Sequence, residues 1–286
     1  MTIRLSWITD IHLNFLTLPK VQAFCRNILA GEPDAVVLTG DISEAPLLDL
    51  HLLAMAEELK PVPLFFVCGN HDYYNGSIVS VREFLCERHT YPDYEKAPGN
   101  LYKGAWWLGN SGIVPLTETA ALVGHDGWYD GLYANWFKSR VWLNDYDVVR
   151  ELAHAGTRDL MYAKMQELAK EAAAYVRKQL ETAFLPVDQG GGGFSTVYVA
   201  THVPPFRENS VYRGKISDDD WMPHFSSWTM GDMLLNVMQA NPDKNCVVLC
   251  GHSHGKAVHQ ALPNLICKTG EAEYRAPRIN EVFEIG

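Results

Sequence analysis

The sequence predicts an α/β protein built on a parallel sheet. Three observations carry this: short apolar runs alternate with segments of helical period from the first residues onward. Five of those runs break into polar residues at their carboxyl end. A chain of 286 residues, 47% of them hydrophobic, is long enough to bury one large core, so a single domain is expected over residues 1–286.

Residues 3–9 form the first run and deliver Asp10 and His12. Residues 19–30 carry Val21, Phe24, Cys25, Ile28 and Leu29 at helical spacing, which predicts a crossover helix ending near Gly31. A second run, residues 35–39, ends in Gly40 and Asp41; residues 47–59 are again helix-periodic and are stopped by Pro61. The third run begins at Leu64 and ends in Gly69, Asn70, His71 and Asp72. Strand, helix, strand, helix, strand is the order that gives parallel strands with right-handed crossovers.

Past Tyr73 the pattern predicts a helix, then a Pro- and Gly-punctuated loop with Tyr91, Tyr94, Tyr102, Trp106 and Trp107. Residues 120–123 are a further apolar run, followed by GHDGWYDG. Residues 144–184 are expected to be helical, interrupted at Gly156 and restarted with Thr157 as the cap. There Met161, Met165, Leu168, Ala172, Val176 and Leu180 share one face that should pack on the sheet, with Trp136 and Trp142 before it forming a rim. Together, residues 127–190 make a helical and aromatic insertion. The glycines at 190–193 are a flexible connector and not a phosphate cradle, since no Lys-Ser/Thr follows them. Residues 196–200 deliver Thr201 and His202, a helix is expected over 230–240, and residues 246–250 deliver Gly251, His252 and His254 before short closing strands.

Composition narrows the class. A net charge of −10 argues against broad binding to a nucleic-acid backbone. No cationic leader and no run of about eighteen apolar residues occurs, so neither export nor membrane insertion is expected. The six cysteines lack close C-x-x-C pairs, and Cys68, Cys246 and Cys250 lie in or beside strand runs; they are expected to be reduced and structural, in a cytoplasmic protein.

In open α/β sheets ligands gather outside the carboxyl ends of the strands, so the five polar endings should converge on one crevice. An amide or carboxylate oxygen suits a hard cation, and an imidazole can bind a metal or pass a proton near neutral pH. In order, the endings are DIH, GD, GNHD, a lone H and GHSH. This set resembles the calcineurin-like metallophosphoesterases, whose pattern runs D-x-H, G-D, G-N-H-D/E, H and G-H-x-H. From Asp10 to His254 the resemblance spans nearly the whole chain.

The resemblance implies two packed mixed β-sheets flanked by helices, a four-layer αββα fold. It implies two divalent metal ions: Asp41 bridging, with Asp10, His12 and His254 completing one site and Asn70, His202 and His252 the other. His71 would stay unligated as general acid in hydrolysis of a small phosphodiester or phosphomonoester. Nitrogen and oxygen donors without thiolate suit Mn, Fe, Zn or Co. Such a pair neutralises phosphoryl oxygens and acidifies a bridging water for in-line attack. Glu44 either orients the catalytic imidazole, as a carboxylate there does in related phosphatases, or is an acid at a helix start. The protein Ser/Thr phosphatase continuation Asp-Arg-Gly is absent, since Ala45 and Pro46 follow, which argues against that branch.

By the same resemblance His125, Asp126 and Trp128 either line the substrate site or are ordinary aromatic core contacts. The loop at 204–223 brings Arg207, Arg213 and Lys215, as contacts for substrate phosphate or as a solvated face. His51, His89, His125, His154, His224 and His259 fall outside the motifs and are expected to be ordinary core or surface histidines. Members of the superfamily that serve as scaffolds, such as a retromer subunit, lack the counterpart of His71, so its presence favours catalysis.

Overall fold

Each apolar run becomes a strand whose alternate side chains feed two different cores. The computed structural model describes residues 2–90 and 104–286; Tyr91, Tyr94 and Tyr102 of the expected aromatic loop lie outside the described residues. The first half contains β1 (Ile3–Ile8), α1 (Leu18–Leu29), β2 (Ala35–Thr39), α2 (Ala45–Leu59), β3 (Leu64–Val67), α3 (Ile78–Arg88) and β4 (Ala105–Trp107). Then come β5 (Val114–Pro115), β6 (Ala120–Gly124), β7 (Thr196–Ala200), β8 (Val211–Tyr212), β9 (Lys215–Ile216), β10 (Asn245–Cys250), β11 (Ala257–Leu262), β12 (Leu265–Thr269) and β13 (Glu281–Ile285).

One sheet has the order β13-β1-β2-β3-β4 and the other β11-β12-β10-β7-β6-β5. Strands β1 to β4 run parallel, as do β6, β7, β10 and β12, while β13, β5 and β11 join antiparallel at or near the edges. Period-two alternation shows how the layers stack. In β3, Phe65 and Val67 enter the core shared with Leu122, Tyr198 and Leu249 of the second sheet, whereas Leu64 and Phe66 pack under α1, α2 and α3. In β7, Val197 and Val199 instead face helices Arg158–Phe184 and Trp228–Ala240. The result is the expected four-layer αββα arrangement of two mixed sheets between helices.

The long helix starts where its cap was expected: Thr157 Oγ1 accepts from Leu160 N at 3.2 Å. Its first turns, through Met161 and Met165, belong to the core beneath the first sheet's helices, and its later turns, from Ala172 to Phe184, to the core on the second sheet. Ahead of it lie only two single turns, Asp145–Val148 and Arg150–Ala153, in place of continuous helix from 144. Trp136 corrects another expectation. It is 1% exposed, stacked on Tyr162 with Arg158 4.5 Å above its ring, so it is core, while Trp142 is half exposed. All six cysteines are free, and five of them are buried. No helix among the described residues is long and apolar enough to cross a membrane.

Candidate metal centre

The polar endings of β1, β2, β3, β7 and β10 meet at one place, and the backbone there is strained. Among the described residues nine non-glycine positions have positive φ, and five of them are Asp10, His12, Asp41, His252 and His254. Such conformations cost about 1–3 kcal/mol each and persist only where surrounding structure enforces them. Two motif glycines show what enforces it. A Cβ on Gly69 would lie 2.1 Å from Asp41 Oδ1, and one on Gly251 would lie 2.0 Å from Asp10 Oδ2. Both carboxylates are therefore pressed against bare backbone. The Asp72 carboxylate then locks the second and third motif loops together by accepting from Gly69 N at 2.8 Å, Ile42 N at 2.9 Å and Ser43 N at 2.7 Å.

Asp10, His12, Asp41 and His254 bring their ligating atoms within 4.8 Å of one another. His12 Nε2 lies 3.3 Å from His254 Nε2 and 3.8 Å from Asp41 Oδ2, and His254 Nε2 lies 3.4 Å from Asp10 Oδ1. On the other side of Asp41, Oδ1 faces His202 Nε2 at 3.3 Å, and that nitrogen faces Asn70 Oδ1 at 3.1 Å. His252 stands beside His202 with ring centroids 5.0 Å apart. Thus the two oxygens of Asp41 divide the cluster into halves.

The donor set of the first half, Asp10, His12, Asp41 and His254, fits a cation. His202 Nδ1 donates to the Thr39 carbonyl at 2.8 Å, which turns Nε2 toward two oxygens, Asp41 Oδ1 and Asn70 Oδ1. His252 Nε2 donates to the His224 carbonyl at 2.9 Å, which leaves Nδ1 as the free ligand atom. Burial drives the Asp41 carboxyl up to about 7, with Asp10's charge pushing the same way against the pull of His71. Burial also opposes ionisation of Asp10, but the His254 hydrogen bond and the surrounding imidazoles outweigh it and hold that carboxyl well below the usual range. Burial lowers His252 to about 3. Two buried carboxylates side by side need positive charge, and neutral imidazoles are the form that binds metal.

His71 occupies the open side. Its backbone N–H donates to Asp41 Oδ1 at 2.9 Å, its Nε2 is 3.9 Å from Asp41 Oδ2, and its ring stacks on Tyr74 with centroids 4.2 Å apart. Glu44 is the residue preceding α2, and its carboxylate is held by Asn14 Nδ2 at 3.1 Å and Asn75 Nδ2 at 3.0 Å; its hydrogen-bond partners are these amides and not the His71 imidazole.

The expected pocket residues do other work. His125, Asp126 and Trp128 are 3%, 1% and 2% exposed, and too enclosed to line an open wall. Asp126 accepts from Cys68 N at 2.8 Å, Tyr73 OH at 2.5 Å and Trp107 Nε1 at 2.8 Å, and its own carbonyl accepts from His202 N at 3.0 Å, so this loop backs the site. Trp128 packs in the first core against Tyr73 and Tyr129. Arg207 pairs with Asp219 at 2.7 Å. The two loops do interlock, since Tyr133 OH donates to Pro205 O at 2.9 Å and Ser139 Oγ donates to Asp220 O at 2.7 Å. Both also reach His252: Tyr129 stacks on it at 5.9 Å and Phe225 lies 4.6 Å away.

Sequence reasoning missed Tyr274, whose ring lies 4.5 Å from His12 and 5.2 Å from His254, and also Asp145, Tyr74, Tyr129 and His224 around the second half. None lies in a motif, and only GHDGWYDG with its crowded aromatics hinted at Tyr129.

A family model described as calcineurin-like phosphoesterase matches residues 3–256. A curated protein from Bos taurus, a transmembrane protein with metallophosphoesterase domain, is 30% identical over 80 residues, a match that spans 27% of this chain and only 18% of that protein. A dimetal phosphatase from Danio rerio superposes with a TM-score of 0.53 at 14% identity, over 94% of this chain and 87% of that one, which is a likeness of fold.

Proposed function

The chain belongs to the calcineurin-like phosphoesterases, and from that premise we propose that it is a dinuclear metal-dependent phosphoesterase acting on a small phosphodiester or phosphomonoester. The observation that carries this is the division of the Asp41 carboxylate, with Oδ2 toward His12 and Oδ1 toward His202, which is the geometry of a bridging ligand. Asp10, His12, Asp41 and His254 would hold one ion; Asp41, Asn70, His202 and His252 would hold the other. When bound, such ions supply charge neutralisation at the phosphoryl oxygens and an acidified water for in-line attack. Mn, Fe, Zn and Co all suit this nitrogen and oxygen donor set.

The protein's own groups then do the remaining work. His71, anchored through its backbone to Asp41 and stacked on Tyr74, presents the imidazole on the open side and gives its proton to the leaving oxygen. The backbone of residues 125–128 holds His202 from behind, and the His224 carbonyl selects the His252 tautomer. The 286 residues act as one domain, with 127–190 as an insertion whose long helix joins both outer cores.

The test is a panel of phosphomonoesters, linear diesters and cyclic diesters, assayed on protein reconstituted separately with Mn, Fe, Zn and Co. Turnover of at least one class with a defined metal is expected. Protein that binds two ions and hydrolyses none of them would instead be a scaffold with this fold.

A further inference from the structure

We propose that Asp145 is a positioning residue of this centre: its carboxylate turns the Asn70 amide so that Oδ1, the metal-binding atom, faces the ion. The proposal rests on the two-metal reading above. Asp145 lies 75 positions beyond Asn70, in the single turn Asp145–Val148, and is 0% exposed. One oxygen accepts from Asn70 Nδ2 at 2.9 Å and from the Tyr74 hydroxyl, and the other accepts from the Tyr129 hydroxyl at 2.7 Å.

An asparagine amide has two ends of nearly the same shape and opposite chemistry. Turned over, it would aim N–H groups at the cation and leave two oxygens facing each other across Asp145. A carboxylate only accepts, so it bonds Nδ2 and repels Oδ1, and the correct orientation is favoured by a charge-assisted hydrogen bond. His202 alone gives a weaker choice, because its ring can change tautomer to suit either end of the amide. The hydroxyl of Tyr74, whose ring carries His71 at 4.2 Å, also ends on this carboxylate. One buried group therefore anchors both a ligand of the second half and the shelf behind the proton donor.

The experiment titrates metal-stripped protein with Mn²⁺ by calorimetry and records electron paramagnetic resonance spectra of the loaded forms. Wild-type protein should take up two ions and show an exchange-coupled pair. Asp145→Asn offers the amide either kind of partner, so the second ion's affinity should fall roughly 10- to 100-fold, as for other groups that orient metal ligands, while the first stays within about twofold. The decisive variant is a swap. Asn70→Asp alone sets two carboxylates against each other and should weaken the second site, whereas Asn70→Asp combined with Asp145→Asn restores one donor facing one acceptor and should recover it. A residue that matters only for packing would give no such recovery. Should Asp145→Asn fail to fold alone, Asn70→Asp and the double variant still decide. An unchanged second site in Asp145→Asn, or no recovery in the double variant, overturns the role of Asp145. Wild-type protein that binds fewer than two ions overturns the premise itself.

Discussion

The two halves of the candidate centre are held by different means. In the half around Asp10, His12 and His254 the motifs serve themselves: three left-handed backbones, the bare approach of Gly251 to Asp10, and Thr9 Oγ1 donating to Asp10 Oδ2 at 2.6 Å. His12 Nδ1 is even a buried nitrogen without a hydrogen-bond partner. In the half around Asn70, His202 and His252, each side chain is oriented by a group from elsewhere: Asp145, the Thr39 carbonyl and the His224 carbonyl. The lesson is that the first half is held mainly by the motif loops themselves, whereas the second also depends on groups outside the motifs. Differences in metal affinity between the ions should therefore trace to residues 125–146 and 204–227.

The largest expected effect abolishes the comparison, because Asp41 serves both halves. Asp41→Ala should lose both ions, measured by elemental analysis after gel filtration; metal content equal to wild type would contradict a shared ligand. Next, His71→Asn belongs to neither half. It should keep both ions and lower turnover of esters with poor leaving groups by roughly a hundredfold, and less for a nitrophenyl ester that needs little protonation. Loss of an ion in this variant would make His71 a ligand.

Tyr129→Phe sharpens the contrast, since it removes the hydroxyl bond to Asp145 while keeping the ring that stacks on His252. Weakening of the second ion by roughly tenfold, consistent with a charged hydrogen bond of about 1.5–3 kcal/mol, should leave the first untouched, and a titration resolving both ions reads this directly. Acid should strain the same supporting loop. Burial lowers His125 to about 4, below its unfolded value of 6.5, so stability is full above pH 6.5 and falls as pH drops toward 4, because the unfolded chain gains the proton first. His125→Asn, whose Oδ1 can replace Nδ1 as acceptor for Gly127 N, should lessen the fall of melting temperature across that window, with the depressed His224 and His252 supplying the remainder. An unchanged pH slope would remove His125 from the account. The smallest effect is Glu44→Gln. Glu44 ties Asn14 to Asn75, so a loss of about 1 kcal/mol in stability is expected, with turnover changed alike for good and poor leaving groups. A leaving-group dependence matching His71→Asn would show that Glu44 acts through the imidazole.

Much of this molecule was legible before any coordinates. The continuous apolar run at residues 64–67 and the helical spacing of Val21, Phe24, Cys25 and Ile28 encode a strand buried on both faces and a helix packed on it, because run length and a period of 3.6 are local facts. The five motifs named Asp10, His12, Asp41 and His254, whose ligating atoms lie within 4.8 Å of one another, and composition argued against a broad nucleic-acid surface. What the sequence left open was whether the aromatic loop after a strand lines the pocket or packs as core. His125, Asp126 and Trp128 have the right residue types for a wall, but whether they face solvent or backbone depends on Cys68, Tyr73, Trp107 and Thr201, far away in sequence.

The sequence by itself determined which residues end each strand, and so the chemistry available at the site. Only the tertiary structure decided how those residues are oriented: the ring nitrogens of His202 and His252 are each fixed by one hydrogen bond to a carbonyl 28 or 163 positions away, and the Asn70 amide sits between Asp145, Tyr74 and His202. Such a bond leaves no period and no motif in the chain. It arises from the stacking of two sheets and the docking of loops upon them, and that geometry is set by all three cores together.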